Sequence, residues 1–119
     1  MGLTYVRVRI CNPADREKTQ DLELLVDSGA IYSVVREDKL RGLDIKPEGK
    51  RKFKTADGRL IEREFGVATV EYKGERAGTV VIFGKVDDTE VLGVHALEGL
   101  GLELDPVTKE LRPMTLLLV

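Results

Sequence analysis

The sequence predicts a small, mostly β domain with one short helix late in the chain. Three observations predict it. Apolar residues alternate with period two over residues 3–10 and 20–26, as they do in half-buried strands. Thr79-Val80-Val81-Ile82-Phe83 is a continuous, largely β-branched run, the pattern of a strand covered on both faces. Turn signals such as Asp57-Gly58 and Lys73-Gly74 separate the extended segments. With 119 residues the chain makes a single domain, 1–119, able to bury a modest core.

Residues 3–10 predict the first strand, and Asn12-Pro13-Ala14-Asp15 a turn. Residues 20–26 predict the second strand, with Leu22, Leu24 and Val26 on one face and Asp21 and Glu23 opposite. Ile31 to Val35 is again apolar and β-branched. Arg36 to Leu43 has room for one or two helical turns, and Asp44 to Lys50 reads as a loop containing Pro47 and Gly49. Residues 51–72 predict a long hairpin turning at Ala56-Asp57-Gly58. Its arms are polar near the tip (Lys52, Lys54, Arg59, Glu62), so they project from the body. Glu90 to Gly93 predicts a short strand. Val94, Leu97 and Leu100 share a helical face, and Gly101 stands where a helix C-cap is expected. Leu102 to Leu104 and Glu110-Leu111 flank the turn Asp105 to Thr108, and Thr115 to Val119 predicts a final apolar strand.

The charge balance excludes several functions. A net charge of -2 with mixed signs and 34% charged residues gives no bulk attraction to nucleic acid or to an anionic membrane, and neither partner is expected. The basic stretch Lys50 to Lys54 is interrupted nearby by Asp57, Glu62 and Glu64, and reads as a solvated arm. A single cysteine, Cys11, allows no intrachain disulfide and suits a reducing, cytoplasmic setting. Arg7 and Arg9 interrupt the apolar N-terminal positions, unlike a signal-peptide core, and Val6 occupies the position where Met1-Gly2 myristoylation wants Ser or Thr. One His and one Cys far apart supply no metal cluster, so no metal or cofactor is expected.

The most informative stretch is Leu24-Leu25-Val26-Asp27-Ser28-Gly29-Ala30: an apolar strand stopping at a carboxylate, then a turn of small residues. Gly29 lets backbone come close, and Ser28 can shape the turn by hydrogen bonding. Asp27 is then either a turn-maker or a catalytic group. A serine nucleophile does not fit. Asp27 adjacent to Ser28 cannot readily orient a His that serves that same Ser, and the first glycine of a nucleophile elbow is missing. His95 reads as a partly buried helix residue. What remains is a pair of carboxylates sharing one proton, which supplies a base and an acid at once. One chain offers one tip carboxylate, so a twofold dimer would bring together two copies of Asp27.

Leu25-Val26-Asp27-Ser28-Gly29-Ala30 resembles the active-site signature of the retropepsin-like aspartic proteases. Val91-Leu92-Gly93 followed by Val94 to Gly101 resembles the apolar-apolar-glycine motif that precedes that family's single helix. Thr55, Ala56, Asp57, Gly58 and Arg59 stand where the family carries a flap hairpin. The order and spacing cover nearly the whole chain. The resemblance implies a closed β-barrel domain with one short C-terminal helix, working as a homodimeric aspartic endopeptidase. Asp27 of each copy would form the catalytic dyad. Ser28 would link the two loops at the dimer axis, and Gly29 would give substrate and water access. Thr55 to Gly58 would close over an extended peptide bound as an added strand. The sequence departs from the family at the flap tip, which has one glycine and an acidic Asp57, and at His95, where relatives often carry Asp or Asn. Ala30 has no hydroxyl to offer the dyad. The alternative is a catalytically weak member of the same fold that serves as a peptide-binding or dimerisation module.

Overall fold

Strand pairing, more than helix packing, organises the chain. The computed structural model describes residues 3–119, so the reading of Met1-Gly2 against lipidation lies outside the described residues. Strands β1 (Tyr5–Asn12) and β2 (Asp15–Val26) form an antiparallel hairpin around the Pro13-Ala14 turn. The buried Asn12 side chain holds that turn: its Oδ1 accepts the Ala14 N–H at 2.8 Å and its Nδ2 donates to the Leu43 carbonyl at 2.8 Å. The chain continues through β3 (Ser33–Arg36), α1 (Glu37–Gly42), β4 (Gly49–Lys54), β5 (Leu60–Tyr72) and β6 (Glu75–Gly84). It ends in β7 (Val91–Leu92), α2 (Val94–Gly99) and a small separate hairpin of β8 (Leu102–Leu104) and β9 (Leu111–Pro113).

The domain is mostly β. Its main sheet runs β1-β2-β7-β3-β6-β5-β4, and pairing of β1 with β5 (Arg9 to Glu71, Ile10 to Val70, Cys11 to Thr69) closes six of these strands into a ring. Strand β4 hangs on the outside of β5. Inside the ring, the alternating residues of β1 and β2 predicted to face inward do so: Val8, Ile10, Leu22, Leu24 and Val26 join Val35, Val70, Val81, Phe83 and Leu92 in one cluster. Leu97 and Leu100 of the α2 region close it from one side. Leu100 ends α2, and Gly101, at φ 71°, donates its N–H to Glu98.

Three expectations need correction. Among the described residues there are two short helices where the sequence reading counts one: the helical turns read over Arg36 to Leu43 form as Glu37–Gly42, anchored by the fully buried Leu40, with Glu37 and Asp38 at the positive end and Lys39 and Arg41 at the negative end. Thr115 to Val119 forms no strand; no strand edge among the described residues receives it, and Leu117 and Leu118 are almost fully exposed. His95 is exposed rather than partly buried, because Ala96 and Leu97 carry the inward face of α2.

Leu24, fully buried at the centre of the ring, sets a test of the core. Leu24→Ala is expected to lower the unfolding free energy by about 2–5 kcal/mol in urea titration. A loss below about 1 kcal/mol would contradict this packing.

Candidate active site

Asp27 is the first residue beyond β2. Its N–H donates to the Leu92 carbonyl at 3.1 Å and so continues the parallel pairing of β2 with β7. Its carbonyl accepts the Ala30 N–H at 3.2 Å, closing a tight turn. Its carboxylate folds back within that turn, where Oδ1 accepts the Gly29 N–H at 2.8 Å. A Cβ at position 29 would lie 3.2 Å from this oxygen, so a side chain there would crowd the carboxylate. Asp27 is half-buried and Ser28 and Gly29 are exposed, which leaves the carboxylate oriented by backbone yet open to solvent.

The turn is seated on the start of α2 by backbone groups. Val94 N–H donates to Ala30 at 2.8 Å and His95 N–H to Ile31 at 2.9 Å. Gly93 N–H donates to the Ser33 hydroxyl at 3.0 Å. The approach is so close that a Cβ on Gly93 would sit 2.6 Å from the Tyr32 carbonyl carbon. The two-residue strand β7 thereby lies between β2 and β3 with both Val91 and Leu92 buried.

A cleft of about 490 Å³ opens beside Asp27. Its floor is apolar and in register: Val91, Val34 and Ile82 stand side by side on the neighbouring strands β7, β3 and β6. Its roof is the β4–β5 hairpin, which contributes Phe53, Ile61 and Thr55, with Phe53 directly opposite Ile61. A second compartment of about 440 Å³ shares Val34, Phe53 and Ile82 and extends past Gly29 and Ala30 to Ile31 and Tyr32. At the tip, Thr55 N–H donates to Arg59 at 2.8 Å and Gly58 N–H to Thr55 at 2.9 Å. The Thr55 hydroxyl, and then Arg59, hold the Asp57 carboxyl below its usual range. Ala56, Asp57 and Gly58 are exposed and stand away from the cleft, so Thr55 is the flap-tip residue that lines it.

The cleft has a feature the sequence reading missed. Arg63, on the hairpin stem, donates to Asp88 through Nε at 2.7 Å and through a second nitrogen at 3.1 Å. Asp88 also accepts the Lys85 N–H at 2.7 Å. Both side chains line the cleft and are three-quarters or more buried. The Arg63 guanidinium holds the Asp88 carboxyl below its ordinary range, and Asp88 in turn raises Arg63. The residues are 25 apart in sequence, and nothing in their local spacing announces the pairing.

The other nucleophiles lie elsewhere. His95 stacks edge-on against Tyr32, with Nδ1 3.4 Å from the Thr79 hydroxyl. Cys11 is fully buried and donates to Glu71; burial first, then that hydrogen bond, push its thiol up to about 11, so it stays protonated at neutral pH. Among the described residues no group of three or more His, Cys, Asp or Glu is placed to hold a metal ion, and no helix is long and apolar enough to cross a membrane. No protein-family model matches the chain, and no curated protein matches it.

Two outcomes test this geometry. Gly93→Ala is expected to cost about 1–3 kcal/mol of stability through overpacking against Tyr32, measured by denaturant titration; a neutral effect would contradict the close seating. Because the Asp88 carboxyl is held low, its pairing stabilises the fold above the unfolded carboxylate value near ~4 and is lost as pH falls through the lower folded value. Asp88→Asn should therefore cost about 1–3 kcal/mol at neutral pH and flatten the stability profile under acid conditions. An unchanged acid limb would contradict the pairing.

Proposed function

We propose that the chain is a homodimeric aspartic endopeptidase of the retropepsin-like type, hydrolysing peptide bonds with a water held between two copies of Asp27. The observation that carries the reading is the opening of an apolar, hairpin-roofed cleft at a half-buried carboxylate that the Gly29 backbone N–H orients. The strand ring, the single-glycine seating of α2 and the hairpin over the cleft support the acid-protease type of closed β-barrel for the finer fold. The exposed apolar end, Leu116 to Val119, supports association with a second copy, since apolar patches of this kind mark contact surfaces.

In this reading one Asp27 is ionised and takes a proton from water as its oxygen attacks the peptide carbonyl carbon. The partner's Asp27 is protonated and donates to the carbonyl oxygen. Collapse of the tetrahedral adduct breaks the C–N bond: the proton taken from water passes to the leaving amine, and the proton lent to the carbonyl oxygen returns to the partner's Asp27 as the new carboxyl group forms. An extended peptide lies between the floor of Val91, Val34 and Ile82 and the roof of Phe53 and Ile61, with apolar side chains in both compartments. Thr55 stands above it, and the exposed tip, Ala56 to Gly58, closes over it on binding to exclude solvent from the reacting bond.

Asp27→Asn is expected to lower cleavage of a mixed peptide library by about 10³-fold or more, while light scattering still reports a dimer. A statine-type inhibitor should block the wild type. Undiminished cleavage in Asp27→Asn would overturn the reading, and an inert wild type that still binds peptide would favour a binding module.

A further inference from the structure

The two compartments of the cleft differ in charge. Beside Asp27 the single cation, Arg63, is neutralised by Asp88. Beyond Phe53, the second compartment is lined by Arg51 and by no carboxylate; Lys52 also borders it, but its side chain alternates to the opposite face of β4, directly across from Glu62. Arg51 stands directly across from Arg63 in the β4–β5 pairing, an arrangement of like charges that costs stability. Asp88 relieves Arg63. Arg51 has only its own neighbour's carbonyl, Lys50, at 3.0 Å, and the face of Phe65, 3.9 Å from its guanidinium carbon. Among the described residues no ion pair involves Arg51, whereas Lys50 beside it reaches Glu62 on the other face of β4. The ring of Phe65 fixes the guanidinium in place without neutralising it, and so leaves a pre-positioned cation at the edge of an apolar groove.

We infer that the second compartment selects peptides carrying a carboxylate side chain, which Arg51 binds while apolar neighbours of that residue fill the space around Phe53. This rests on the peptidase reading of the same cleft and names its substrate class: an apolar peptide acidic on one flank. An incoming carboxylate would supply Arg51 with the counter-charge that Asp88 gives Arg63.

The test uses short fluorescent peptides with one apolar centre and a flank of Glu, Gln or Lys, bound to the full chain carrying Asp27→Asn so that turnover does not interfere. The Glu peptide is expected to bind about fivefold more tightly than the Gln peptide at low salt, as one exposed ion pair allows. The margin should shrink at high salt. Adding Arg51→Gln should bring the ratio to within about twofold, Arg51→Lys should restore part of it, and Lys52→Gln, on the other face of β4, should leave it unchanged. The Arg51→Lys variant and the salt series keep the test open if Arg51→Gln unfolds. Equal binding of Glu and Gln peptides, tighter binding of the Lys peptide, or stronger binding of single-stranded oligothymidylate would overturn the inference. Digestion of the same peptides by wild type separates the two levels. Cleavage without Glu preference sinks the acidic specificity and leaves the peptidase standing. Glu-selective binding with no cleavage keeps the groove assignment and sinks the peptidase.

Discussion

The structure depends on one contact between backbones: the turn after β2 resting on the start of α2. Four hydrogen bonds cross it: Asp27 N–H donates to the Leu92 carbonyl, and the N–H groups of Gly93, Val94 and His95 donate to Ser33, Ala30 and Ile31. It exists because position 93 has no side chain to hold the chains apart. Through it, a strand of two residues holds β2 and β3 in one sheet and aims Asp27 outward. The aim of the carboxylate comes from main-chain geometry. Such positioning resists side-chain rearrangement, and it explains how a domain of this size holds a charged group steady at its surface.

The cleft follows from the same arrangement. Strand β6 is apolar on both faces because Val81 and Phe83 enter the core while Ile82 faces the hairpin. Val34 and Val35 on β3 divide in the same way. The hairpin is joined to the ring by strand pairing with β6 and by the Arg63–Asp88 link to the loop before β7. A largely buried bidentate pair of this kind fixes the register of stem against loop, and removing one partner would strand the other's charge in the cleft wall. The stem is thereby fixed while the exposed tip, Ala56 to Gly58, contacts only its own turn.

Much of this was legible in the sequence, for local reasons. Alternation placed the inward faces of β1 and β2, and the Asp57-Gly58 and Lys73-Gly74 turns placed the hairpins. The continuous run before Gly84 announced a doubly covered strand. Glu90 to Gly93 read as a short strand ending at glycine, and the structure shows that strand with Gly93 seated tightly against Tyr32. The misses are non-local. Arg63 and Asp88 each look like ordinary surface charges until folding brings them together. The helical turns read over Arg36 to Leu43 form as α1, with Leu40 seated in the core, although the single-helix count omits them. Thr115 to Val119 has the pattern of a strand but finds no edge among the described residues to pair with. Period and composition report what a segment favours, and they are silent on which partner it meets.

The central claim is that two copies of the Asp27 turn meet across a twofold axis. Ser28, exposed at the outer end of that turn, is the place to measure it. With Cys11→Ser removing the native thiol, Ser28→Cys should form an intermolecular disulfide under mild oxidation, since such a bond requires Cα atoms within about 7 Å. A covalent dimer that retains the native circular dichroism is the predicted result. Chains that stay unlinked while sedimentation reports either monomers or a dimer would place the two acids apart and contradict the account.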